Sequence, residues 1–250
     1  MKSLLLFFFS VFVPLATAEQ VVVAYNDDWA PYSAKGTGSS AKGILVDLLQ
    51  EALGNRMGME VKHIALPWGR VQEDVRSGAY DAFITVPTAE RLTYVNSSQQ
   101  IAFTVEMRAF VNRHSSKKAE IESVTGVDQF AQLRVCDIFA NGWAKRLYEQ
   151  KQIKVQYFRD SEVCFRQIAA GRYDITLEAA EVGRMLQSKD EFKDEITMLP
   201  AVIDQMDFTF MINQKSKHVG ILARFDEVIV QMQQEGVVRE IVARHLSPSP

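Results

Sequence analysis

The chain has 250 residues, of which 47% are hydrophobic and 24% charged, enough apolar content for one large core or two modest ones. Its net charge of −3 and the lack of any long block of Lys and Arg leave no electrostatic footprint for nucleic acid. Two cysteines and four scattered histidines match no zinc-site spacing, so no metal or other cofactor is expected.

The first element is a leader. Lys2 precedes the apolar run 4–15 and then Ala16-Thr17-Ala18, the small-x-small form that signal peptidase accepts. The run is shorter than the roughly 20 residues a permanent spanning helix requires. Residues 1–18 are therefore read as a signal peptide, and the remainder as a periplasmic protein starting near Glu19. That environment is oxidising, which predicts a disulfide between Cys136 and Cys164.

Past the leader, residues 21–25 form the apolar run of a buried strand. Residues 36–41 match a dinucleotide fingerprint loosely but do not directly follow a strand, and read as a turn. Helical spacing over 44–53 predicts a helix stopped by Gly54, followed by a strand at 61–64. A helix through Val71 and Val75 then ends at Gly78, and residues 82–86 give a third strand.

The second half repeats the first. Strands are expected at 133–138, 155–158 and 175–177, with helices at 143–150 and 161–170 between them. Ser77-Gly78-Ala79-Tyr80-Asp81 and Ala170-Gly171-Arg172-Tyr173-Asp174 occupy the same place in each copy, where glycine accepts the left-handed turn after a helix. Alternating strands and helices imply parallel sheets, whose ligands bind beyond the carboxyl ends of the strands. The tail adds an apolar run at 208–212 and helices at 221–233 and 237–245. If the tail covers the first lobe, the chain crosses between lobes twice, near 108–114 and 200–207, and a double crossing makes a hinge.

Residues 23–32 (Val-Ala-Tyr-Asn-Asp-Asp-Trp-Ala-Pro-Tyr), the stretch 43–49 with Asp47, Pro67-Trp68 through Gly78-x-x-Asp81, and Pro87-Thr88-Ala89-Glu90-Arg91 point in one direction. Together they resemble the type II periplasmic solute-binding proteins of the polar amino-acid transporter class, bacterial extracellular solute-binding family 3. The resemblance runs from Val21 to Leu246. It implies an α/β fold of two Rossmann-like lobes joined by a two-segment hinge, with residues 19–110 plus 206–250 in lobe 1 and 111–205 in lobe 2. It also implies a non-enzymatic monomer that captures a small carboxylate-bearing solute, an amino acid or a relative, by lobe closure and delivers it to the permease of an ABC transporter.

By the same resemblance, Trp29 and Trp68 stand where aromatic rings sandwich the solute, with Asn26 a polar position nearby. Arg91 stands where an arginine grips the solute carboxylate. A guanidinium suits that task, because its planar fork of donors matches a carboxylate in two parallel bonds and stays charged. An aromatic plate adds contact area and cation–π attraction, although either tryptophan can equally serve core packing. Thr85 and Thr88 offer hydroxyls on the same strand-to-loop segment, and Arg70 lies in the first helical turn after Trp68, where a surface role fits as well. Asn141 with Gly142 opens a helix whose N–H groups can hold an anionic end.

Two positions depart from the family pattern. The acid that holds a solute ammonium falls at Ala179, and the hydroxyl five residues before the arginine falls at Val86. Glu178 or Glu181 is expected to replace the missing carboxylate, although adjacent strand residues point opposite ways. Two rival functions follow from the resemblance: a cyclohexadienyl dehydratase using one of these glutamates, and a soluble sensor that docks on a membrane receptor.

Overall fold

The computed structural model describes residues 20–139 and 142–246, so the expected signal peptide and Asn141 lie outside the described residues. β1 (Gln20–Asn26) buries Val21, Val23 and Tyr25 on one face and Ala24 on the other, as a strand covered on both sides must. A small antiparallel sheet follows, formed by β2 (Asp28–Trp29), β3 (Ser33–Lys35) and β4 (Ala41–Lys42), with the expected turn between the last two. α1 (Ile44–Leu49) continues as a π-helical segment (Gln50–Arg56), passing the predicted stop at Gly54. The Gln50 side chain occupies the space a Cβ on Gly54 would need, and the left-handed break comes at Gly58, with φ +69°. β5 (Glu60–Leu66), α2 (Trp68–Ser77) and β6 (Ala82–Thr85) complete the first half, with β5 and β6 flanking β1 in parallel.

After β7 (Val95–Ser97), β8 (Phe103–Asn112) and α3 (Lys118–Glu122) comes the second half: β9 (Val135–Ile138), α4 (Gly142–Gln150), β10 (Val155–Phe158), α5 (Ser161–Ala169) and β11 (Ile175–Ala179). Strand order β10-β9-β11, all parallel, repeats the order β5-β1-β6. α6 (Ala180–Gln187) leads into β12 (Ile196–Asn213), and α7 (Leu222–Glu235) and α8 (Val237–Leu246) end the fold. These last helices return to the first lobe, where Arg56 pairs with Glu235 at 2.5 Å and His245 meets Asp47 at 2.8 Å. Among the described residues no helix is long and apolar enough to cross a membrane.

The repeated aspartates explain the repeated motif. Asp81 accepts the Val22 N–H at 2.9 Å while its own N–H donates to the Val22 carbonyl at 3.0 Å. Asp174 makes the same pair of bonds with Arg134, both at 2.8 Å. Each aspartate thus ties the start of its half's third strand to the start of the first. Burial raises the pKa of Asp174, but bonds from Arg134 and Lys117 outweigh it and hold the carboxyl below 3.8.

The two expected crossings are strands. β8 and β12 run antiparallel, and β12 pairs with β6 at Thr209–Ile212 and with β8 from Ile196 to Phe208, so one nine-stranded sheet threads both lobes. Its register slips between Met198 and Asp204, where β12 departs from regular pairing. The boundaries drawn at 110 and 206 fall within these two strands.

Cys136 of β9 and Cys164 of α5 form the expected disulfide, with Cα atoms 5.9 Å apart, packed against Phe165 and Phe110. Reduction should add two protons to the intact mass. By the loop-entropy relation it should also lower the unfolding free energy by about 3–4 kcal/mol, measured by denaturant melts with and without reductant. Thiol labelling of the untreated native protein would refute the bond.

Candidate functional site

The strand ends of both lobes converge on one cavity of about 140 Å³. β1 contributes Tyr25 and Asn26, β6 contributes Ile84 and Thr85, β9 contributes Ile138, and β11 contributes Glu178. The site therefore lies where parallel α/β sheets place ligands, beyond the carboxyl ends of their strands. Met107 of β8 and Met206 and Phe208 of β12 line it from the two crossing strands.

Arg91 opens a short 3-10 turn (Arg91–Thr93) after β6, and its backbone N–H donates to the Thr88 hydroxyl at 3.2 Å. The residue is 5% exposed. Nη1 donates to the Val86 carbonyl at 2.8 Å and Nη2 to Gln72 Oε1 at 3.1 Å, while the Trp68 ring lies 5.2 Å from the guanidinium carbon. Nε is buried with no partner. Among the described residues no carboxylate hydrogen-bonds the group. Two of its five N–H donors are used, and Nε–H with the remaining Nη hydrogens form a fork suited to a carboxylate. Burial pushes its pKa down to about 10, so it stays charged at neutral pH.

Glu178 brings a carboxylate from the second lobe. It accepts from the Ser161 hydroxyl and from the Ala179 N–H at 2.8 Å, and the Trp29 side chain of the first lobe stands close enough to help lower its pKa. Burial raises its pKa above 4.5, against the lowering effect of these three groups. Strand alternation resolves the departure at Ala179, which is 0% exposed in the core while Glu178 faces the cavity. At the end of β6 both Thr85 and Val86 line the cavity, so Thr85 brings a hydroxyl to the place where Val86 has none. Glu181 sits on α6, paired with Arg184 and outside the cavity lining.

Both tryptophans line the cavity, but each is also committed to a protein neighbour. Trp68 backs Arg91 and meets Phe83 edge-on, and Trp29 stacks on Phe208 with ring centroids 5.5 Å apart. Asn26 lines the site, and its side chain accepts the Asp28 N–H at 3.4 Å. Two expected site residues stand outside the lining. Arg70 is exposed and pairs with Asp74 at 2.8 Å, and Thr88 is buried beneath the Arg91 turn it caps. The sequence reading missed Met107, Met206, Phe208 and Phe139. The signal for the first three was alternation, since Val105 and Met107, like Met206 and Phe208, are spaced by polar residues.

The model of the family described as Bacterial extracellular solute-binding proteins, family 3, matches residues 21–248. No curated protein matches the chain. Among solved structures, a histidine kinase sensor domain with similarity to periplasmic binding proteins superposes with a TM-score of 0.71 at 20% identity, over 91% of this chain and 96% of that one. The arginine-, lysine-, histidine-binding protein ArtJ from the thermophilic bacterium Geobacillus stearothermophilus gives 0.70 at 17%, over 93% and 97%. An ancestral amino-acid-binding protein described as a precursor of cyclohexadienyl dehydratase gives 0.69 at 16%, over 91% and 96%. At these identities the likeness establishes the fold, a mixed α/β architecture of the type II periplasmic binding kind.

The raised pKa of Glu178 has a definite sign. Its contribution to the stability of the ligand-free protein is complete below pH 4.5 and is lost as pH rises through the elevated folded value. Glu178→Gln should flatten this limb and raise the unfolding midpoint at pH 7. Melts of both proteins across pH 4 to 8 test it, and superimposable profiles would remove Glu178 from a buried, ionisable position.

Proposed function

Because the chain belongs to family 3 of the bacterial extracellular solute-binding proteins, we propose that it captures a small carboxylate-bearing solute between two lobes and delivers it to an ABC transporter permease. In this reading lobe 1 comprises residues 19–110 and 206–250, and lobe 2 residues 111–205. The protein is exported by its leader, cleaved before Glu19, and acts in the periplasm as a monomer. Capture, not turnover, is its task.

The observation that carries the proposal is Arg91, buried, charged and without a carboxylate partner among the described residues. A solute carboxylate on its Nε and Nη edge neutralises it. Glu178 takes a positive end from the opposite lobe, so a zwitterion fills both sites. The amino-acid ligands named for two of the structural neighbours support this reading.

Contacts between the lobes support closure as the capture step. Trp29 lines the cavity together with Glu178, and Glu181 stands near enough to Tyr32 to act on its hydroxyl. A solute between Arg91 and Glu178 adds to the same set of cross-lobe contacts, which shifts the population toward the closed form.

In a thermal-shift screen of amino acids, amines and organic acids, the mature protein should melt higher with its solute, by linkage of binding to folding. Arg91→Ala removes two charge-assisted bonds, about 3–5 kcal/mol, and should weaken binding by 100-fold or more. Unchanged affinity would take Arg91 out of the site. The raised pKa of Glu178 also suits a catalytic acid. Conversion of prephenate or arogenate to an aromatic product, lost in Glu178→Gln, would replace capture with catalysis.

A further inference from the structure

We infer that the solute is an amino acid with an apolar, uncharged side chain, and that Met107, Met206 and Phe208 on the two crossing strands form the pocket that selects it. The inference rests on the capture reading and names its substrate class. Among the described residues lining the cavity, only Arg91 and Glu178 carry a charge. The two ends of a zwitterion use both. A charged side chain on the solute then meets no further charge in the cavity lining itself, Arg146 lying near Arg91 but outside that lining, and an unpaired charge in a closed cleft is strongly disfavoured.

The rest of the lining points the same way. Met107 is 2%, Met206 7% and Phe208 4% exposed, and they stand side by side because strand alternation turns Met206 and Phe208 to one face of β12. Their polar neighbours Thr104 and Asp207 face outward and bond each other at 2.7 Å. Phe208 continues into Trp29, and Ile138 and Phe139 add apolar surface from the second lobe. Such a wall holds a hydrocarbon or thioether side chain by contact area, and methionine adapts its shape to the group it meets. These residues also lie on the strands that pass between the lobes, so the side-chain pocket and the crossing share the same backbone.

The test is calorimetry on the mature protein, stripped of ligand by unfolding and refolding. Leucine, methionine and phenylalanine are compared with lysine, arginine, aspartate, glutamate and glutamine. At least one apolar amino acid should bind tenfold or more tighter than every charged or amide one, a difference of about 1.4 kcal/mol. Met206→Glu, which supplies a counter-charge, should lose that preference and gain lysine or arginine. Met206→Gln gives a milder change, and should weaken apolar ligands if the glutamate variant does not fold. Tightest binding of a charged or amide side chain, still abolished by Arg91→Ala, would overturn the apolar pocket and leave capture standing. Absence of binding by any amino acid or organic acid would overturn both.

Discussion

Arg91 carries a full positive charge at 5% exposure with only neutral partners, the Val86 carbonyl, the Gln72 amide and the face of Trp68. Taking an ion out of water costs several kcal/mol unless an opposite charge compensates. The three partners orient the guanidinium without neutralising it, and Nε is left unpaired. The fold has accepted that cost in the one place where parallel strands from two lobes end together. In the proposed reading an anion entering the cavity recovers it, and the remaining donors match a planar carboxylate.

The architecture around this group follows from a duplicated plan. In each half a Gly-x-Tyr-Asp turn ends a helix, and the aspartate bonds the first strand to the third, so both sheets present strand ends of the same kind. The halves face each other because β8 and β12 run from one to the other as paired strands. Those strands connect the lobes and also line the cavity, which in the proposed reading couples the position of the second lobe to what the cavity contains. Glu178 is the second lobe's side of that coupling. Its carboxylate is held on the cleft by two donors from its own lobe, the Ser161 hydroxyl and the Ala179 N–H, with Trp29 beside it in the cavity lining.

Much of this was legible in the sequence. The duplicated turn, the parallel strands and the disulfide could be read from residue spacing and compartment, because each rests on local chemistry or on the repeat itself, whereas the return of the tail helices was implied only by the resemblance. The position of Ala179 misled by one residue, since a count along a motif does not say which of two neighbours on a strand faces the cleft. Only pairing with the adjacent strands decides that, and it turns Glu178 to the cleft, while at the end of β6 both Thr85 and Val86 line it. Gly54 misled for a related reason, as its lack of a side chain accommodates Gln50 rather than ending the helix. Met107 and Met206 went unread because their segments looked like connections, although the alternation that makes them strands was present, and Phe208 was read only as the start of an apolar run.

A crystal structure of the protein with its solute bound tests the central claim most directly. The account predicts the solute carboxylate within about 2.7–2.9 Å of Arg91 Nε and Nη2, the length of a charge-assisted bond, with both lobes closed on it. A solute seated in the cavity with its acid group directed elsewhere, and Arg91 Nε still unpaired, would contradict it.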